Sequence, residues 1–129
     1  MSSIAAITKN IYLFSTVHTA FVHPIFAARA TSTINNISNG RFGINVVCGW
    51  NKSEYEMFNV GKKISSVNRY KFGDEWLKIY LKLLDKKSDK ISYNGKFIQV
   101  KNAQCHPKMI NEKSFFKISA GFSKDGREF

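Results

Sequence analysis

Between residues 11 and 48 the chain reads strand, helix, strand. That order, within about 40 residues, is the size of a βαβ unit and limits the architecture more than anything else in the sequence. Residues 11–17 (IYLFSTV) mix β-branched and aromatic side chains, as strands do. After a turn carrying His18 and His23, Pro24 suits the first turn of a helix, where its missing N–H would have had no partner. Phe26, Ala27, Ala30, Ile34 and Ile37 recur at helical spacing and predict a helix through residue 38 with these residues as its apolar stripe. Asn39-Gly40 then supplies a stop, because both residue types accept the left-handed backbone that ends helices. Residues 42–48 (FGINVVC) are a nearly continuous apolar run, typical of a strand covered on both faces of a parallel sheet. The expected fold class is therefore α/β with parallel strands.

The remainder extends this pattern. Residues 49–68 form a long connection rich in Gly, Asn and Lys, without a clear period, and long loops in compact domains are often functional. A second helix is predicted over about residues 69–87, with Trp76, Ile79, Tyr80, Leu83 and Leu84 as its apolar stripe, Asp74 and Glu75 early and Lys86-Lys87 at its end. Residues 91–100 (ISYNGKFIQV) set Asn94-Gly95 between two apolar runs, a strong hairpin signal. Residues 115–121 (FFKISAG) read as another strand, and residues 126–129 as the opening turn of a further helix.

Charge narrows the function classes. The formal charge is +11, which on its own suggests nucleic acid or an anionic surface. The basic residues, however, are mostly single lysines scattered among apolar ones, such as Lys78, Lys82, Lys96, Lys101 and Lys117. Sixteen of the 20 are Lys, whereas planar recognition of phosphate or guanine favours Arg. A small nucleic-acid-binding protein is thus the alternative reading, and a solvated Lys-rich surface the preferred one. Cys48 and Cys105 are the only cysteines, with no zinc spacing, and lone thiols fit a reducing cytoplasm. The apolar run after Lys9 resembles a signal peptide, but His18, His23 and Pro24 interrupt it, and it is too short and polar to span a bilayer.

Few residues announce chemistry. There is no P-loop, GxGxxG, HExxH or GxSxG. His18 and His23 lack a nearby third metal ligand and read as loop or helix-cap residues. Cys48 reads as a buried, inert thiol rather than a nucleophile. Glu54 and Glu56 fit a solvated acidic turn in the long connection. Asn45 stands out, since strand interiors disfavour Asn and a buried amide needs partners. Near the carboxyl end of a parallel strand it either faces a ligand or bonds a neighbouring strand. Residues 119–126 (SAGFSKDG) are either a phosphate cradle, with Ser123 and backbone N–H groups as donors, or an ordinary Ser/Gly-rich turn.

The phrases Ile37-Ser38-Asn39-Gly40-Arg41, Gly43-Ile44-Asn45-Val46-Val47-Cys48-Gly49-Trp50 and Glu54-Tyr55-Glu56 follow one another in residues 27–58. Arg69-Tyr70, Tyr93-Asn94-Gly95-Lys96-Phe97 and Ala120-Gly121-Phe122-Ser123 come after them in order. Together they resemble the bacterial luciferase-like flavin-dependent monooxygenases, in particular the branch acting on alkanesulfonates, dimethyl sulfone and pyrimidine rings. The resemblance implies a partial (β/α)₈ TIM barrel, namely its third to fifth strands and their helices with an inserted β-hairpin. Residues 1–129 are expected to be a single incomplete barrel segment, since a whole barrel takes about 250 residues. It further implies FMN, reduced by a partner flavin reductase, which uses O₂ to oxygenate a small organic substrate. Asn45, Glu54, Arg69 and Tyr70 would contact the flavin, and Ser123 its phosphate. Catalytic residues are not implied by the matching positions, and neither is a metal, a membrane or a nucleic-acid partner. A cytoplasmic homo-oligomer is expected of the full-length family protein, and the segment alone is expected to be inactive and to bind FMN weakly or not at all. Cys48 stands where the family usually has Thr, which removes a hydroxyl near the flavin, and Asn36 where Asp is common.

Overall fold

The computed structural model describes residues 1–49, 51–60, 64, 68–112, 114–119, 126 and 129. In chain order these form α1 (Ser2–Ile7), β1 (Leu13–His18), α2 (Pro24–Ile37), β2 (Phe42–Val47), α3 (Lys52–Met57), α4 (Arg69–Leu84), β3 (Ile91–Asn94), β4 (Gln99–Ala103) and β5 (Lys117–Ile118). The expected βαβ unit is present: β1 and β2 pair in parallel from Leu13↔Phe42 to His18↔Val47. β5 adds on the far side of β2, also parallel, giving the order β1-β2-β5. The expectation of about three parallel strands with an inserted hairpin holds, because β3 and β4 form a separate antiparallel pair.

Strand alternation sorts the sheet's two faces. Leu13 is buried beneath the helices, as are Phe42, Ile44 and Val46. Against them lies the α4 stripe of Trp76, Ile79, Tyr80, Leu83 and Leu84, all buried as the spacing predicts. Trp76 and Tyr80 stack at 4.9 Å, and each polar end is satisfied: Trp76 Nε1 donates to Val22 O at 2.7 Å, and the Tyr80 hydroxyl to Thr31 Oγ1 at 2.9 Å. On the other face Phe14 and Thr16 of β1 are exposed, while on β2 Gly43 is buried and Asn45 and Val47 are half-buried, so β2 is covered more fully than β1, in the direction its apolar run suggests.

The inward side of α2 differs from expectation. Phe26 is 70% exposed, and Ala30 and Ile37 are also exposed, while Ala27, Ala28, Thr31, Ser32 and Asn35 are buried. Small residues let α2 approach α4 closely, and its buried polar groups find partners that repay their burial, the Asn35 Nδ2 excepted. Ser32 Oγ donates to Pro107 O, Asn36 Nδ2 donates to Lys108 O at 2.8 Å, and Asn35 Oδ1 accepts from Ile110 N at 3.2 Å. Periodicity counts apolar atoms and cannot see this. Asn39 and Gly40 take φ of 54° and 85°, the left-handed stop their sequence predicts. Arg41 then spans the carbonyls of Ile11 and Thr8 at 2.5 and 2.6 Å and that of Ala5 at 3.2 Å, fastening the end of α1, a helix the sequence reading left out.

The second helix ends at Leu84, short of residue 87, where Lys108 Nζ reaches Leu83 O and Asp85 O at 3.2 Å and Ser88 O at 2.5 Å. In the hairpin, Asn94 pairs with Gln99, so a four-residue loop (95–98) replaces a two-residue Asn-Gly turn. The reason is Glu75 on α4: its carboxylate accepts from the backbone N–H of Lys96, Phe97 and Ile98 at 2.9–3.0 Å. Glu75→Gln replaces one acceptor oxygen by a donor facing those N–H groups. It should destabilise the chain by about 1–3 kcal/mol, with amide exchange rising first at Lys96–Ile98; unchanged exchange there would show that the carboxylate does not hold the loop.

Candidate functional site

Among the described residues, β1 and β2 and the segments that follow their carboxyl ends gather most of the buried side-chain polar atoms left without protein partners. Asn45 sits on the open face of β2, opposite Thr16 of β1 and Ile118 of β5. Its Nδ2 lies 3.5 Å from Thr16 Oγ1, a long contact, and its buried Oδ1 has no hydrogen-bond partner. A buried acceptor without a donor costs about 1–3 kcal/mol. Of the two readings of Asn45, the interstrand bond is present as the long contact to Thr16, and the oxygen is left unmatched.

One residue pair higher, His18 ends β1. Its Nδ1 accepts from Ala20 N at 3.3 Å, and its buried Nε2 has no partner. Burial lowers its pKa, and the Glu54 charge works against that shift. Its ring stacks on Phe21 at 4.0 Å and meets Tyr55 edge-on at 5.6 Å. His23 caps α2 by accepting from Ile25 N at 3.3 Å, which bears out the helix-cap reading for that residue.

α3 lies in what the sequence presents as an aperiodic connection. Its six residues are too few to show a period, and none is buried. The legible signal was Asn51, whose Oδ1 accepts from Ser53 N at 3.1 Å as an N-cap. Tyr55 anchors the helix by donating its hydroxyl to Cys48 O at 2.5 Å. Gly49, at φ 80°, makes room for this arrangement: a Cβ there would stand 2.1 Å from His18 Nε2 and 2.7 Å from the Tyr55 hydroxyl. Burial pushes the Cys48 thiol up to about 11, while the Thr19 hydroxyl and Arg69 charge pull it down. The thiol therefore stays protonated, as an inert cysteine should. Burial likewise raises the Tyr55 phenol.

Arg69 and Tyr70 open α4, with the guanidinium 4.9 Å from the Tyr70 ring centre. The buried Arg69 Nε has no hydrogen-bond partner, yet the Arg69 charge reaches Cys48 and Tyr55. Glu54 acts electrostatically on His18 and Tyr55. The structure thus places Glu54 and Arg69 around one centre, the Cys48–Tyr55 corner, with Asn45 on the neighbouring face and Tyr70 beside Arg69. Ser123 lies outside the described residues. Thr16, His18, Gly49 and Tyr55 complete the corner. Alternation back from His18 would have put Thr16 on the ligand-facing side, but the partners of Gly49 and Tyr55 needed the fold.

What this corner offers is unmatched donors and an unmatched acceptor beside aromatic rings and a fixed cation. Over residues 1–119 the chain matches the family described as luciferase-like monooxygenase. Pyrimidine monooxygenase RutA of Pseudomonas savastanoi pv. phaseolicola is 36% identical over 131 aligned positions, covering 100% of this chain and 35% of that protein. The protein of the same name from Agrobacterium fabrum is 34% identical, with the same coverage. Among solved structures, the long-chain alkane monooxygenase LadA matches with a TM-score of 0.88 at 26% identity, covering 99% of this chain and 34% of that one. DmoA from Hyphomicrobium sulfonivorans matches at 0.81 and 25%, covering 99% and 32%. The chain spans 35% of the length of the curated relatives named here. Among the described residues no helix is long and apolar enough to cross a membrane.

Two outcomes are expected. Gly49→Ala should cost about 1–3 kcal/mol and detach Tyr55 from Cys48, read as increased Tyr55 fluorescence exposure and a lower urea midpoint. His18 and His23 both titrate below their ordinary value near 6.5. The unfolded chain therefore binds protons first as pH falls past 6.5, so stability holds above that pH and declines below it until the folded histidines charge too. Urea midpoints measured from neutral to mildly acidic pH check the sign, and a flat profile would contradict it.

Proposed function

Because the chain belongs to the luciferase-like monooxygenase family, we propose that it supplies the flavin-holding strands of an FMN-dependent monooxygenase barrel. The observation that carries this reading is the pair of buried, unmatched polar atoms, Asn45 Oδ1 on β2 and Arg69 Nε at the start of α4, whose charge reaches Cys48 just past the carboxyl end of β2. That is where α/β barrels bind ligands.

The residues present fit the cofactor. Asn45 would accept a hydrogen bond from an N–H at the edge of the flavin ring. Arg69 would donate from Nε to an oxygen, and Tyr70, beside it, would offer an aromatic face. Glu54 would contact the flavin from α3, and Ser123 would bind its phosphate. When bound and reduced by a partner flavin reductase, FMN supplies the activation of O₂, one atom of which goes to the substrate and the other to water. The chain's own task is to bind, orient and keep water away. The inert Cys48 thiol and the aromatic rings of Phe21 and Tyr55 suit the last of these, since they add apolar surface without a competing nucleophile. The substrate proposed is a small organic molecule, a sulfonate, a sulfone or a pyrimidine. The relatives named for pyrimidine oxygenation favour the pyrimidine. A cytoplasmic homo-oligomer belongs to the same proposal for the whole protein.

A three-stranded sheet covers one side of a ligand, so the isolated chain should bind FMN only weakly. The decisive experiment exchanges it for the matching segment of a RutA relative. The chimeric barrel should bind FMN and oxygenate a pyrimidine when given reduced flavin. Asn45→Ala or Arg69→Ala should each weaken FMN binding about tenfold, equivalent to ~1.4 kcal/mol. A chimera that folds but does not retain flavin would sink the proposal.

A further inference from the structure

His18 has no part in holding the flavin as described above, yet it stands where the sheet meets α3. Its ring, Phe21 and Phe58 form a column, with centroid spacings of 4.0 and 4.5 Å and interplanar angles of 19° and 28°. Tyr55 meets both His18 and Phe21 edge-on, at 5.6 and 5.7 Å. A helix of six residues has little stability of its own. These rings and the Tyr55–Cys48 bond fix where α3 lies, and so where Glu54, the residue before Tyr55, points its charge.

Geometry also assigns the proton on His18. Nδ1 accepts from Ala20 N–H and so carries no hydrogen, which leaves the neutral ring's proton on Nε2, directed at Gly49. The titratable groups facing this ring are Glu54 and Tyr55 from α3 and Cys48 after β2, with Arg69 of α4 acting on the latter two. Protonation would place a hydrogen on Nδ1 against the Ala20 N–H, two donors face to face, and would create a cation beside the Glu54 carboxylate.

We propose that His18 is a positioning residue for Glu54: the neutral ring holds α3 so that the Glu54 carboxylate serves the ligand, and the protonated ring breaks the Ala20 bond and draws that carboxylate onto itself. The role of Glu54 toward flavin rests on the function proposed above, whereas the coupling of α3 to His18 does not. Burial keeps the ring neutral near neutral pH, so the change belongs to mild acid.

The test is NMR of the labelled full-length chain, stepped from neutral to mildly acidic pH. Ring nitrogen shifts should report the Nε2–H tautomer. Backbone amides of residues 52–57 should move with the same midpoint as the assigned His18 ring, below 6.5. Glu54→Gln should lower that midpoint, because the carboxylate no longer favours the cation. His18→Phe keeps an aromatic ring in the column and should abolish the movement of α3 in that window. A parallel flavin-fluorescence titration of the chimeric barrel described above should show FMN affinity falling severalfold through the midpoint with His18 present and staying level with His18→Phe. An Nδ1–H tautomer, or α3 amides that ignore the His18 titration, would overturn the proposal, and the wild-type titration decides this even if His18→Phe does not fold. A chimeric barrel whose FMN affinity ignores pH while α3 still tracks His18 upholds the positioning role and instead removes the flavin assignment of Glu54.

Discussion

The register of β1 on β2 is the constraint from which the rest follows. Side chains alternate along a strand, so pairing Leu13 with Phe42 and Thr16 with Asn45 divides the same short segments between two environments. Leu13, Phe42, Ile44 and Val46 go under the helices, and Phe14, Thr16, His18 and Asn45 go to the opposite face. A slip of β2 by one residue would turn Asn45 toward the helices and expose Ile44, and a slip of β1 would do the same to Thr16 and Leu13. Each such buried polar group would cost more than any loop rearrangement could recover. The hydrophobic core and the candidate site are therefore two consequences of one pairing.

The parts of this arrangement legible in the sequence are those carried by period and by punctuation. The βαβ order, the stop at Asn39-Gly40, the α4 stripe and the existence of a hairpin all rest on local rules, and the structure follows them. Asn45 was legible for a related reason, as a polar break in an apolar run. α1 was not, and α3 showed only its Asn51 cap, because helices of six residues are too short to show a period and are held by distant groups, Arg41 in one case and the Cys48–Tyr55 bond in the other. The hairpin's loop length was likewise set from outside, by the Glu75 carboxylate on another element. Glu54, Arg69, Tyr70 and Ser123 could be singled out only through family resemblance, since no spacing rule links them.

The helix α2 shows how far hydrophobic periodicity can mislead. Its larger apolar residues, Phe26 and Ile37, lie on the exposed side, while Thr31, Ser32 and Asn35 are fully buried. Helix packing here depends on closeness rather than on apolar bulk. Small side chains bring the backbones near, and their hydroxyl and amide groups reach carbonyls and N–H groups that would otherwise be stranded.

Those same contacts bind two stretches of chain that lie more than 70 residues apart. Ser32, Asn35 and Asn36 bond to Pro107, Ile110 and Lys108, and Lys108 bonds to the carbonyls at the end of α4. Evolution is consequently not free to treat residues 104–110 as a surface loop, although they contain no regular structure. The hairpin just before them is held by apolar contacts of Ile91, Phe97 and Ile98 and by Glu75, so its exposed positions can change sequence singly. A single insertion after Ala103 would instead set every one of those bonds out of step at once. Variation within such a lineage should therefore collect at the exposed positions of residues 86–102 and stop abruptly at Gln104, with changes in α2 tolerated only when the distant segment changes with them.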